Sequence, residues 1–363
     1  MFRINDATGN AISVNEIHED GFNVTMDKYV TKNISSVKRD ILGEYLSNVK
    51  DNSDFEGKVI PTGITSLDDA LGGGLRNGLY VIGANPGMGK TSLMLHILTN
   101  LATNKQPSLF FNLDMSDIQT TLRLVANTSY RSEELESKTI NDLSNSKKLT
   151  KGNTLDESIM EICRSYKKNI DPYINVLSIQ LDALGKADNS VTYVESVETA
   201  IRNMKNLFNV SPVVVIDFLQ MLQNKPTSTY KDEDDGDIVL KSYDKRIEMD
   251  KIIKQLKVYT AVYKVPIVVI TSTNRSSYTK TDGYNNTDYD IGFSKESGNI
   301  EYNADVLIRL TTADSAITFG GPEQHRVNLN IVKSRSGKSY ISIPLNFIPE
   351  YAFFSETKEG NQL

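Results

Sequence analysis

The sequence predicts an α/β fold built on a mostly parallel sheet flanked by helices. Three observations carry this reading. A glycine-rich turn, Val81-Ile-Gly-Ala-Asn-Pro-Gly-Met-Gly-Lys-Thr-Ser92, joins an apolar strand to a helical pattern. Apolar runs of strand length alternate with helical periods as far as residue 271. One run, Pro212-Val-Val-Val-Ile-Asp217, is continuously apolar until its terminal carboxylate, the form of a strand buried on both faces. Such alternation implies parallel strands joined by helical crossovers.

Taken in order, residues 1 to about 34 are polar with isolated hydrophobes such as Phe22, Val24 and Tyr29, and read as an arm. A helix is expected over about 36–50, where Val37, Ile41, Tyr45 and Val49 recur every fourth residue beside Leu42. A short lone helix needs a partner surface for such a stripe, on its own domain or on a neighbouring subunit. A polar linker follows. The chain thus divides into an N-terminal arm with its helix, 1–57, and one large domain, 58–363. Strands are expected at Leu79–Ile82, Leu109–Leu113, Tyr173–Ile179, Pro212–Asp217 and Pro266–Thr271. Helices are expected from Leu93, at Ile118–Ala126, Leu155–Tyr166, Val194–Phe208 and Ile247–Tyr263. Val306–Leu310, Val327–Val332 and Ser339–Leu345 finish the sheet, partly antiparallel. Segments 224–244 and 276–294 lack apolar periodicity and follow the C-terminal ends of strands, where α/β proteins place ligands.

Bulk properties narrow the function classes. With 39% hydrophobic and 24% charged residues, the 363-residue chain has the composition of a soluble globular protein. A net charge of −6 argues against a bulk electrostatic grip on nucleic acid, so any such binding needs local patches. The single cysteine, Cys163, excludes an internal disulfide framework, and its neighbours Ile159 and Ile162 predict a buried structural thiol. The N-terminus has no apolar run of signal-peptide type, and no segment is long enough to span a membrane, so a cytoplasmic protein is expected. His18, His96 and His325 show no metal-ligand spacing.

Chemistry concentrates at four places. The turn from Asn85 to Ser92 has the composition of a phosphate-binding loop: Asn85, Pro86, Gly87, Met88, Gly89, Lys90, Thr91 and Ser92. Its glycines let backbone N–H groups converge on phosphate oxygens, with the helix N-terminus adding a favourable dipole. Lys90 would reach the β- and γ-phosphates of ATP and Thr91 would bind Mg²⁺. Ala84 stands where the strict pattern has its first glycine. Asp217 has the form of the second Mg²⁺ carboxylate. Asp114, just past a neighbouring strand, is the candidate to orient and activate water, and Gln220 is placed to sense phosphate. Lys333 and Arg335, alternate residues near a strand end, would project together as a basic pair able to neutralise phosphate charge on a neighbouring subunit.

These residues carry a family resemblance. From about Pro61 to Phe354 the chain resembles the C-terminal motor domain of DnaB-type replicative helicases, a hexameric branch of the RecA-like P-loop NTPases. The resemblance rests on Thr62-Gly63 with Leu67-Asp68 and Leu71-Gly-Gly-Gly, on Asn85-Pro86 with Met88–Thr91, and on Phe111-Asn-Leu-Asp-Met115 followed by Arg123. It continues in Ile216-Asp-Phe-Leu-Gln220, Glu248–Lys257, Val265-Pro266, Glu296-Ser-Gly-Asn-Ile-Glu301 with Ala304-Asp305, and Lys333-x-Arg335-x-Gly337. It implies an ATP-driven, ring-forming motor that moves 5′-to-3′ on single-stranded DNA during replication, a homo-hexamer with primase and a helicase loader as partners. It assigns Asp114 the catalytic-base role, Gln220 the sensor role, and Lys333 and Arg335 the role of fingers acting in trans. It turns the two long loops toward a central channel, where Lys241, Lys245, Arg275 and Lys280 would grip the DNA backbone, and docks the helix at 36–50 on the next subunit.

Three departures accompany it. Asp114 replaces a family glutamate, Ser272 replaces a family glutamine, and about 55 residues precede the motor, too few for the family's N-terminal scaffold domain. The pattern resembles phage or mobile-element forms. Two other function classes stay open: a RecA- or RadA-like recombination ATPase forming filaments, and a nucleotide-switched replication accessory protein that does not unwind DNA.

Overall fold

The computed structural model describes residues 4–5, 11–12, 59–225 (apart from 146, 148, 152–153, 182–186 and 210), 245–272, 298–317 and 322–357. The chain forms two units, Met1–Phe55 and Glu56–Leu363. In the first, Ile4–Asn5 pairs antiparallel with Ala11–Ile12. The helix expected at 36–50 lies outside the described residues.

The second unit is organised around a nine-stranded sheet. In chain order its main elements are α1 (Thr65–Ala70), β1 (Gly78–Ala84), α2 (Lys90–Thr103), β2 (Ser108–Asn112), α3 (Asp117–Arg131), α4 (Ile140–Ser144), α5 (Glu157–Asn169) and β3 (Ile174–Ser178). There follow α6 (Val194–Phe208), β4 (Val213–Asp217), α7 (Lys245–Tyr263), β5 (Pro266–Ser272), α8 (Gly298–Asn303), β6 (Val306–Ile317), β7 (Gln324–Ser334), β8 (Ile341–Ile348) and β9 (Phe353–Glu356). The strand order is β9-β8-β7-β6-β1-β5-β4-β2-β3. Pairing is parallel from β6 through β3 and antiparallel from β6 through β9.

Strand alternation explains why the central runs are apolar without interruption. Tyr80, Ile82, Phe110, Val213, Val215, Val268 and Ile270 enter one buried layer with α2 residues Leu93, Leu95, Leu98 and Leu101. Leu79, Val81, Leu109, Phe111, Val214, Ile216, Ile267 and Val269 enter the other, with Val197, Ile201, Ile252 and Leu256 of α6 and α7. Both faces are therefore covered by helices, as parallel sheets require. The register matters for function. Ala84 pairs with Ser272, and Asp217 with Asn112, so the C-terminal ends of β1, β5, β4 and β2 lie in one row.

Several boundaries differ from the sequence reading, each for a local reason. Helix α5 begins two residues later than expected because the Asp156 side chain accepts from Ser158 N at 3.0 Å, while Leu155 pairs with Thr150 in a small ladder. Strand β9, only four residues long, follows Ala352 at φ 46° and has no counterpart in the sequence pattern. Cys163 is exposed, which corrects the expected buried thiol. The face of α5 that enters the core carries Ile159 and Ile162, and position 163 turns away from it. Among the described residues, no helix is long and apolar enough to cross a membrane.

Candidate active site

The row of strand ends opens into a cleft of about 540 Å³, lined by Pro86 to Ser92 together with Asp114, Arg123, Asp217 and Ser272. Local chemistry forces the loop's shape. Gly87 and Gly89 have φ of 81° and 85°, a left-handed conformation that disfavours a side chain. A Cβ on Gly87 would meet nothing within 4 Å, so open space lies where the loop curls. A Cβ on Gly89 would stand 2.8 Å from the Phe347 ring, itself stacked on Phe354 with centroids 4.5 Å apart. Ala84, at the lost glycine position, is the last residue of β1 in register with Ser272, so strand geometry suffices there.

Polar side chains converge on this loop. Lys90 Nζ donates to the carbonyls of Ala84 and Asn85, at 2.8 and 2.9 Å. Burial lowers the Lys90 pKa, while Asp217 and then Asp114 oppose that shift. Thr91 Oγ1 donates to Asp217 Oδ2 at 2.5 Å. Burial pushes the Asp217 carboxyl up to about 6; Asp114 adds to the rise, and Thr91 and Lys90 counter it. A hydroxyl and a carboxylate side by side, with a second carboxylate across the cleft, are the hard oxygen donors a divalent cation takes. The open curl at Gly87 and the Lys90 ammonium fit a polyphosphate. The residues present therefore fit both groups.

The other expected residues divide. Gln220 follows Asp217 by three residues and donates through Nε2 to Thr271 Oγ1 at 2.8 Å, at the end of β5. That bond joins two strands whose ends border the cleft. Lys333 and Arg335 do come together, but at the opposite end of the sheet. Lys333 Nζ donates to the Glu301 carbonyl and, at 2.8 Å, to that of Ala304, while Arg335 Nη2 donates to the Tyr302 carbonyl at 2.7 Å. Their neighbour Asp305 pairs with Leu79 at the start of β1, whereas the phosphate loop begins at its end. Five residues of strand separate the two places, roughly 17 Å. Lys241, Arg275 and Lys280 lie outside the described residues, as does the Lys245 side chain at the start of α7.

Two walls of the cleft carry no role in the sequence reading. Arg123, on α3, reaches it with a pKa lowered by burial, and donates to the Gln119 carbonyl at 3.0 Å. Thr312, His325, Val327 and Phe347 come from the antiparallel strands. Only the register of β6 to β8 carries them there, which no local motif encodes.

Comparison with known proteins agrees with this geometry. The family model for the DnaB-like helicase C terminal domain matches residues 59–356. The replicative DNA helicase DnaB of Helicobacter pylori is 25% identical over 280 residues, which are 77% of this chain and 49% of that protein. The DnaB of Geobacillus stearothermophilus is 26% identical over 320 residues, 87% of this chain and 61% of its own. The replicative DNA helicase DnaC of Bacillus subtilis is 24% identical over 336 residues, 89% and 63%. The chain thus spans between half and two thirds of these relatives. Among solved structures, an isolated ATPase domain superposes with a TM-score of 0.65 at 19% identity, covering 88% of this chain and all of that one. A DnaB-like replicative helicase studied for its interactions with primase superposes with 0.64 at 19% identity, covering 93% and 73%. With a RecA-like fold, a nucleotide-binding cleft at the C-terminal edge of its sheet and a family match across most of its length, the chain belongs to the DnaB-like helicase C-terminal domain family.

Proposed function

We propose that this chain is an ATP-dependent DNA helicase, a ring-forming motor that moves 5′-to-3′ on single-stranded DNA during replication. The observation that carries the reading is the convergence of Lys90, Thr91, Asp217 and Asp114 on one cleft, with Lys333 and Arg335 held at the far end of the sheet. A pair so placed serves a neighbouring subunit's cleft, which calls for an assembly such as a homo-hexamer. The motor is residues 58–363, and the segment before it, with its helix at 36–50, is the element that would dock on the next subunit.

The roles follow from chemistry. Lys90 exchanges the carbonyls of Ala84 and Asn85 for the β- and γ-phosphates of ATP. Thr91 and Asp217 hold Mg²⁺, which when bound draws charge from the phosphate oxygens. Asp114 orients water and accepts its proton. Gln220 links the end of β4 to Thr271 on β5, so a change at the phosphate can be passed between strands. Lys333 and Arg335 neutralise developing charge in trans. Lys241, Lys245, Arg275 and Lys280 supply local positive charge for DNA in a chain whose net charge is −6. Primase and a helicase loader are its partners, in a cytoplasmic setting.

Asp114 sustains a second reading. It is one methylene shorter than the glutamate of the resembled family, which would suit a nucleotide switch that does not unwind. ATP turnover with and without single-stranded DNA, on protein of known mass, separates the two together with unwinding of a forked duplex. DNA-stimulated turnover and unwinding by a hexamer-sized species support the motor. Slow turnover indifferent to DNA refutes it.

A further inference from the structure

We infer that Asp305 is a positioning residue that ties the basic pair Lys333 and Arg335 to β1, the strand that runs into the phosphate loop; this rests on the motor reading above. The contacts are specific. Asp305 Oδ2 accepts from Leu79 N at 2.7 Å and from Lys257 Nζ on α7. Asp305 Oδ1 lies 3.4 Å from Arg335 Nη1. The backbone doubles both connections: Asp305 N donates to the Leu79 carbonyl at 2.8 Å, and Arg335 N to the Asp305 carbonyl at 2.9 Å. One residue therefore holds the start of β1 on one side and the basic pair on the other.

Space is reserved for this carboxylate. A Cβ on Gly78 would stand 2.9 Å from Asp305 Oδ2, so a side chain there would push it off Leu79 N. Charge is arranged around it as well. Asp305 is mostly buried, while Arg335 is half-exposed and keeps a face toward solvent. Arg335 and Lys333 repel one another, and the carboxylate between Lys257 and Arg335 offsets that repulsion. Without it, the two cations would splay.

The consequence is a physical link between two sites. β1 ends in a subunit's own nucleotide cleft, and its first residues are bonded to the groups that act on the next one. A displacement of β1 along its axis moves the basic pair directly, because no flexible segment intervenes between Leu79 and Asp305.

The test is Asp305→Asn, which keeps an acceptor for Leu79 N but removes the charge that holds Arg335. We expect DNA-stimulated ATP turnover to fall about tenfold with KM within about twofold, as for loss of a positioning contact. Activity should return when Asp305→Asn subunits are mixed with Lys90→Ala subunits, which supply intact basic pairs to the variant's intact clefts. Turnover within about twofold of wild type overturns the inference. So does failure of the mixture when Arg335→Ala mixed with Lys90→Ala is restored, since the damage then lies in the variant's own cleft. If neither mixture is restored, action in trans fails and takes the inference with it. Should Asp305→Asn not fold, Gly78→Ala tests the same displacement with the same outcomes.

Discussion

Replacing Asp217 by asparagine should make the nucleotide-free protein more stable while abolishing hydrolysis. Asp217 is 3% exposed, and burial together with Asp114 lifts its pKa from 3.8 to about 6. The unfolded chain ionises near the lower value, so the folded state favours the protonated acid and the ionised form costs stability. That cost appears as pH rises through 3.8, grows until about 6 and is constant above. A rise of about two units at 1.36 kcal/mol each amounts to roughly 3 kcal/mol at pH 7.5. Asparagine retains an acceptor for the Thr91 hydroxyl and carries no charge, so it escapes the cost. The assay is thermal unfolding of both proteins at about pH 4, 5 and 7.5 without nucleotide or divalent cation. We expect the variant to melt about 2–6 °C above wild type at pH 7.5, for about 1–3 kcal/mol, with the gap shrinking toward pH 4. Added MgATP should raise the wild-type melting temperature and leave the variant nearly unmoved. A variant less stable than wild type at pH 7.5, with a gap independent of pH, would refute the reasoning.

Three further outcomes follow from the same geometry. Gly89→Ala imposes a side chain at φ 85° and sets it 2.8 Å from a stacked ring, so it should cost about 1–3 kcal/mol in chemical denaturation and weaken nucleotide binding measured by fluorescence. Lys90→Ala removes the phosphate clamp, and turnover should fall at least about 100-fold; retained turnover would sink the cleft assignment. Arg131, whose guanidinium donates to Asn127 Oδ1 at 2.5 Å, to Asn100 Oδ1 and to His96, holds α2 and α3 together far from the phosphates. Arg131→Ala should cost about 2–4 kcal/mol in urea melts yet leave nucleotide affinity unchanged.

What could be read from the sequence follows the range of the signal. The phosphate loop, Asp217 and Asp114 were legible because each sits at the end of an apolar strand, and parallel pairing alone aligns such ends. The long central strands were legible because burial on both faces leaves no polar residue to blur them. Strand β9 was not, since four residues after an Ala352 turn carry too little pattern to separate from a loop. Cys163 was misjudged for a related reason. Its apolar neighbours mark a helix with one buried stripe, and sequence proximity does not say on which side of the stripe a residue falls. His325 and Phe347 illustrate the remaining gap, because they reach the cleft only through the antiparallel register of β6, β7 and β8.

The placement of the basic pair bears most on how the chain works. Lys333 and Arg335 alternate on one strand, which was visible in the sequence, but alternation says nothing about which end of the sheet they occupy. The structure puts them beside the first residues of β1, with their ammonium and guanidinium groups on the carbonyls of 301, 302 and 304. No rotation of a lysine or arginine side chain crosses the roughly 17 Å to its own phosphate loop. The cleft of one subunit therefore lacks these two cations unless a second copy brings them. Slow turnover by monomeric protein, accelerating with the concentration of subunits rather than with nucleotide, is the kinetic form that this geometry dictates. Turnover per subunit that stays constant across dilution to the monomer would mean that Lys90, Asp114 and Asp217 suffice, and the basic pair would then be a structural clasp on α8.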